Sequence, residues 1–289
     1  MSFAAPTSHF YVSGRLKLHY CTWGDPTLPP MMLVHGMQDH SRTWDWVVRN
    51  YVDRFFIIAP DLRGHGDSAW SNGGTYHLMD YVNDLVVLVQ HLGLRDLTLV
   101  GHSLGGTLTV IQTAICPQPI SRLVCIEGIG VLPEGAPHQT VQEQIRIWMA
   151  SQDTQARHEP RRYEDRASAI ARMRKMNPGL SAEQADHLCL HGLRPNNDAT
   201  LSWKFDPYTV SWPAFGLSKE QILSLYEDVA CPTLLINAAE GYDHRVGQNS
   251  TLKYFANARL ETIENAGHWT YHDQLDDVLG SIDRFFDIG

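Results

Sequence analysis

Ten residues constrain the fold of this 289-residue chain more than any other stretch: Leu97-Thr98-Leu99-Val100-Gly101-His102-Ser103-Leu104-Gly105-Gly106. An apolar, β-branched run stops at Gly-x-Ser-x-Gly, and a helix-compatible run follows. That is the pattern of a nucleophile elbow, a strand-to-helix reversal that lifts a serine hydroxyl out of a sheet edge. The turn is tight and sets the serine in strained φ/ψ, while Gly101 and Gly105 let neighbouring backbone pass without a Cβ clash. Five residues can arise by chance, so the weight of the pattern depends on partners elsewhere in the chain.

The surroundings fit. Strand candidates at Phe10–Val12 and Leu16–Thr22 are joined by Ser13-Gly14. Met31–Val34 then ends at His35-Gly36, and Phe55–Ala59 ends at Pro60-Asp61-Leu62-Arg63-Gly64-His65-Gly66-Asp67-Ser68. A helix is predicted at about Leu78–Leu92, followed by a strand at Leu97–Val100, a helix after Ser103, and a strand at Leu123–Ile126. Continuous apolar strands alternating with helices mean a parallel sheet buried on both faces. From Pro133 to about Tyr226 strand-like runs vanish and the period turns helical, at Val141–Met149, Tyr163–Met176, Ser181–Leu190 and Ser218–Tyr226. The alternation resumes at Pro232–Asn237, with a last strand near Leu260–Ile263 and a closing helix at about Gln274–Phe286. The chain therefore divides into core (1–131), helical insertion (132–227) and returning core (228–289).

A serine hydroxyl is a weak nucleophile until a base takes its proton. Of fifteen histidines, His268 falls in the loop between the last strand and last helix, at the sheet edge where Ser103 emerges. A carboxylate must then hold the imidazole tautomer. Two compete: Glu127, directly after the Leu123–Ile126 strand, and Asp243, in the loop after the Leu234–Asn237 strand. A charge directly after a buried strand needs a partner or water. An oxyanion needs two backbone donors; Leu104 N–H and Met37 N–H are the candidates. Gly36 permits close approach of substrate, and His35 is expected to order that loop rather than perform chemistry.

Composition narrows the function. A net charge of −9, with basic residues dispersed except around Arg157–Lys175, excludes a nucleic-acid partner. Met1–Pro6 lacks the marks of a signal peptide, and no apolar stretch approaches the roughly 18 residues of a membrane span. Five scattered cysteines without a CxxC pair exclude a disulfide framework and a zinc site, and suit a cytoplasmic location. The oligomeric state stays open, a dimer included.

Taken in order, His35-Gly36-Met37, Asp61–Ser68, Gly101–Gly106 and Gly267-His268 resemble the α/β-hydrolase superfamily in its cap-bearing members. The resemblance covers residues about 10–131 and 228–289. It implies an α/β fold with a mostly parallel eight-stranded sheet, a helical cap inserted after the sixth strand, a Ser–acid–His triad, and no cofactor or metal. Ile126-Glu127-Gly128-Ile129-Gly130, Trp203-Lys204-Phe205-Asp206-Pro207 and Ala239-Glu240-Gly241-Tyr242 are similar to the serine-hydrolase-like group. Most superfamily members carry the acid after the strand that follows the cap, in a Gly-x-x-Asp setting. Here no glycine ends that strand and Asp243 falls one or two positions late. A subset carries it after the strand preceding the cap, which Glu127 matches; Glu127 is favoured, with Asp243 the alternative. Serine at the elbow, rather than the aspartate of haloalkane dehalogenases and most epoxide hydrolases, points to acyl transfer.

The expected chemistry is hydrolysis of a small or medium, largely apolar ester, thioester or lactone. A C–C bond hydrolase with the same triad and a noncatalytic binding protein are the alternatives. Candidate pocket residues are His35, Gly36, His102, Trp148, Trp203 and Trp269, with Trp44 and Trp212 as further aromatic candidates. Arg157, Arg161, Arg162, Arg166, Arg172 and Arg174 could meet a substrate carboxylate, but a solvated surface is the expectation for them.

Overall fold

The computed structural model describes residues 5–73, 76–132, 140–157 and 159–287. Met1–Ala4, and Pro133 where the insertion is expected to begin, lie outside the described residues. The strands β1 (Thr7–Ser13), β2 (Leu16–Trp23), β3 (Pro30–Val34), β4 (Phe56–Pro60), β5 (Leu97–His102), β6 (Ile120–Ile126), β9 (Thr233–Ala238) and β10 (Ala258–Ile263) form one sheet. Its order is β1-β2-β4-β3-β5-β6-β9-β10. β1–β2 and β2–β4 are antiparallel, and every other neighbouring pair is parallel.

Alternation along the strands sends neighbouring apolar residues into two cores, which is why these runs are continuously apolar. Met32, Val34, Leu97, Leu99, Leu123, Cys125 and Leu235 pack under α2 (Leu78–His91) and α3 (Leu104–Ile115). Met31, Leu33, Val100, Val124, Ile126, Leu234 and Ile236 pack on the other face, under α1 (Asp45–Tyr51) and α9 (Leu275–Phe286). Helix α1, not anticipated from sequence, contributes Val47, Val48 and Tyr51 to that second core.

Between β6 and β9 the chain forms α4 (Val141–Ala156), α5 (Arg166–Met176), α6 (Ala182–Gly192) and α7 (Lys219–Glu227). Thr140 with Glu143, Ser181 with Gln184, and Ser218 with Gln221 are capping boxes that fix three of the four helix starts. Two expectations are corrected. The segment is not free of strands: β7 (Leu193–Pro195) pairs with β8 (Leu201–Trp203). Nor does α5 start at Tyr163, whose backbone exchanges two 2.8 Å hydrogen bonds with Leu201; Asp165 caps the helix instead. Tyr163, Ala169, Cys189 and Leu193 give the segment a small core of its own.

Several polar contacts tie this segment to the sheet domain. Tyr76 Oη donates to Asp206 (2.5 Å), Gln184 Nε2 to the His272 carbonyl (2.8 Å), and Trp70 Nε1 to the Lys204 carbonyl (2.9 Å). Among the described residues no helix is long and apolar enough to cross a membrane.

Candidate active site

The carboxyl ends of the parallel strands converge on Ser103. The serine has φ 54° and ψ −120°, a conformation an L-residue adopts only under constraint. Glycine is required around it: a Cβ on Gly101 would run into the Gly105 carbonyl, and one on Gly105 into the Val34 carbonyl. Strand β5, helix α3 and the end of β3 are thus closed on one another with no room for side chains.

Ser103 Oγ lies 2.8 Å from His268 Nε2, and His268 Nδ1 lies 3.1 Å from Glu127 Oε2. His268 is carried by the loop after β10, held by Gly267 N–H donating to Asp273 Oδ2 (2.9 Å). His102 Nε2 lies 2.7 Å from the His268 carbonyl, a donor to it. Burial pushes the His102 imidazole well below its ordinary pKa, so the ring is neutral and that proton is fixed by the bond it makes. The Tyr242 ring packs beside His268, centroids 4.4 Å apart.

Glu127 is fully buried and itself at positive φ (51°). Its Oε1 accepts from Ala238 N–H and from Arg245 Nη1, each at 2.6 Å. Arg245 Nη1 also meets the Ala238 carbonyl. The carboxylate therefore has one oxygen saturated by two donors and the other free for the imidazole. Asp243, the alternative acid, is exposed, and it is Glu127 that meets His268 Nδ1.

Leu104 directly follows the serine, and Met37, in the loop after β3, lines the same cleft. Leu104 opens α3, where no intrahelical carbonyl is available to its N–H. The backbone before Met37 comes so close that a Cβ on Gly36 would sit 3.0 Å from Ser103 Cβ. His35 Nδ1 lies 2.7 Å from the Gly36 carbonyl, and its Nε2 accepts from Leu62 N–H (3.0 Å). Burial lowers its pKa, in keeping with this neutral arrangement.

Ser103 and His268 open into a cleft of about 1390 Å³, with Gly36, Met37, His102, Trp203, Trp212 and Trp269 among its walls. Three pocket candidates are misassigned by sequence. His35 is wholly buried with both ring nitrogens engaged, and it does not line the cleft. Trp44 is wholly buried and stacked on Tyr271, centroids 4.6 Å apart, as a core residue. Trp148, on α4, does not line the cleft, to which that helix contributes Gln155. Apolar residues such as Met173, Met176 and the three tryptophans predominate in the walls, with Arg161, Arg172, Glu240 and Asp273 set among them.

The sequence reading missed Arg245. Its signal was indirect, in that a glutamate ending a buried strand demands a partner, but nothing local says that the partner stands 118 positions later. Among the described residues two groups have the donor atoms for a cation, Asp45–His187–His191 and His19–Asp61–Asp67. In the first, Arg42 already grips both Asp45 oxygens (2.6–3.1 Å), and a second cation would be repelled. In the second, Asp61 accepts from His19, Ser41 N–H and Asp67 N–H. Both read as structural polar clusters.

A family model described as alpha/beta hydrolase fold matches residues 29–275. Mouse sn-1-specific diacylglycerol lipase ABHD11 is 26% identical over 270 residues, 91% of this chain and 82% of that protein. Human serine hydrolase-like protein 2 is 24% identical over 253 residues, 84% of this chain and 78% of that protein. Among solved structures, a thioesterase domain from the curacin biosynthetic pathway superposes with a TM-score of 0.83 at 24% identity, covering 96% of this chain and 99% of the domain.

Proposed function

The chain belongs to the α/β-hydrolase family, and on that footing we propose that this hydrolase of the esterase/lipase-like type works by acyl transfer through Ser103, His268 and Glu127. The observation that carries the reading is the continuous line of contacts from Ser103 Oγ through His268 to Glu127, at 2.8 and 3.1 Å.

In this mechanism Ser103 Oγ attacks the carbonyl carbon of the substrate while His268 Nε2 takes the hydroxyl proton. Negative charge develops on the carbonyl oxygen, where the Met37 and Leu104 N–H groups donate to it. Collapse of the tetrahedral intermediate expels the leaving group, which receives the proton from His268. A water molecule, deprotonated by the same nitrogen, then attacks the acyl-serine ester, and collapse returns the proton to Ser103. Glu127 accepts from Nδ1–H, fixing the tautomer that leaves Nε2 free as a base. Arg245 holds that carboxylate from behind.

The described part of the segment between β6 and β9 acts in this reading as a cap, since Trp203, Trp212 and α5 line the cleft into which Ser103 and His268 open. Names of relatives add a substrate class, lipid esters for the mouse protein and thioesters for the curacin domain. A small or medium ester or thioester is the class proposed here. The test is a panel of p-nitrophenyl esters, thioesters, lactones and vinylogous diketones against wild type and Ser103→Ala. Wild type should turn over at least one ester class, and Ser103→Ala should lose that turnover by about 10³-fold or more. Equal rates in the two proteins would exclude Ser103 as the nucleophile. Turnover confined to vinylogous diketones would indicate C–C bond hydrolysis by the same groups.

A further inference from the structure

Two cations on the cleft wall, Arg161 at an exposed position and Arg172 half-buried, have no acidic partner among the described residues. Arg157, Arg162 and Arg166 pair with Asp153 (2.9 Å), Asp198 (2.6 Å) and Asp186 (3.2 Å). Arg161 and Arg172 come from the same stretch, yet neither makes an ion pair among the described residues, and both line the cleft. Arg172 is also on an unusual face of its helix. Positions 169, 172, 173 and 176 share one stripe of α5, which Ala169 and Met173 use to pack into the small core of the insertion. A guanidinium on that stripe is half-buried instead of extending into water with Arg174 and Lys175. A charge partly withdrawn from water costs free energy unless something pairs with it.

Charge around the cleft is segregated. Both arginines belong to the insertion, whereas Glu240 follows β9 and Asp273 ends α8 (Thr270–Asp273), on the side that carries His268. Among the described residues no ion pair joins Arg161 or Arg172 to Glu240 or Asp273. A guanidinium recognises carboxylate oxygens through paired N–H donors. A monoanion satisfies the insertion wall with less repulsion from the two acids opposite than a dianion would meet.

We propose that the enzyme is specific for substrates bearing a carboxylate remote from the scissile carbonyl, bound by Arg161 and Arg172 on the insertion wall. The assignment deepens the serine-hydrolase reading and rests on it for the position of the scissile bond. Ser103, Arg161 and Arg172 line one and the same cleft of about 1390 Å³.

The experiment compares mono-p-nitrophenyl esters of glutaric, adipic and suberic acid with their methyl-capped counterparts. The reading is the ratio of kcat/KM, acid over methyl ester, taken on one protein so that loss of folded enzyme cancels. Wild type should give a ratio of about tenfold or more at its best chain length, falling in about 0.5 M NaCl as the charges are screened. Arg172→Met and Arg161→Met should each lower it through KM, and the double variant should bring it near one. Arg174→Met, exposed on the same helix and away from the cleft, should leave it unchanged.

A wild-type ratio at or below one overturns the proposal, as does a ratio that survives the double variant or falls equally in Arg174→Met. Faster turnover of a phosphate-ended ester than of its carboxylate analogue overturns the carboxylate assignment. Calorimetric titration of Ser103→Ala with monomethyl adipate and with dimethyl adipate separates the two readings. Binding of the monoanion alone, abolished by the arginine substitutions, supports the anion site even where no ester is hydrolysed. Ester hydrolysis without monoanion binding refutes the anion site and leaves the hydrolase.

Discussion

Replacing Glu127 with glutamine keeps its shape and removes its charge, and the surroundings dictate how the amide must sit. Oε1 accepts from two donors, Ala238 N–H and Arg245 Nη1, so the amide oxygen takes that position. The NH₂ group then faces His268 Nδ1, which must become an acceptor, and the ring is driven into the tautomer with its proton on Nε2. That nitrogen can no longer take the proton of Ser103. The equivalent change in a serine-protease triad lowers kcat about 10⁴-fold, so we expect a loss of about 10³- to 10⁴-fold, or roughly 4–5 kcal/mol of barrier. The buried guanidinium of Arg245 also loses its counter-charge, a cost of about 3 kcal/mol in folding stability. Steady-state kinetics on the best p-nitrophenyl ester, with a circular dichroism melt of the same sample, separates the two effects. The variant should melt roughly 6 °C lower or more, yet be folded and nearly inactive at 25 °C. Asp243→Asn, at an exposed position, should stay within about twofold of wild type. Retention of more than about a tenth of kcat by Glu127→Gln, with the loss appearing in Asp243→Asn, would refute the reasoning.

Gly105→Ala brings a methyl group against the Val34 and His35 carbonyls, backbone atoms that cannot rotate away. It should destabilise the protein by about 2 kcal/mol or more and misplace Ser103, read as a lowered melting temperature together with slowed ester turnover. His19→Gln tests the buried pair with Asp61 (2.7 Å). Burial opposes charging of His19, but the Asp61 hydrogen bond prevails and lifts its pKa to about 10. A raised folded-state pKa means the contribution is complete below the ordinary histidine value and disappears as pH rises through about 10. The gap in urea midpoint between wild type and His19→Gln should therefore be widest near pH 6 and narrow above pH 10; a gap that widens with pH would reverse the sign of the argument.

What the sequence made legible was mostly local. The elbow could be read because its glycines are obligatory, each hydrogen already touching backbone of another element. The sheet could be read because strands covered on both faces are mostly apolar along their length. Helix α1 escaped because its seven residues offer only Val47, Val48 and Tyr51 to the core, too few to set a period. The β7–β8 hairpin escaped for the same reason, with three residues in each strand. Pocket residues were the weakest part. Whether a tryptophan stacks on Tyr271 like Trp44, or faces the cleft like Trp203, is decided by chain segments far away in sequence. Arg172 shows the limit in reverse. Its neighbours Arg174 and Lys175 make the stretch look like a solvated face, and only the packing of Ala169 and Met173 reveals which side of the helix it is on.

The central claim is that Ser103 is a hydroxyl activated by His268. Labelling the native protein with a fluorophosphonate, then digesting it and locating the adduct by mass spectrometry, tests this most directly. We expect one adduct, on the peptide containing Ser103, absent from Ser103→Ala and slowed by about 10³-fold in His268→Ala. No adduct, or an adduct on another residue with Ser103 unmodified, would contradict the account.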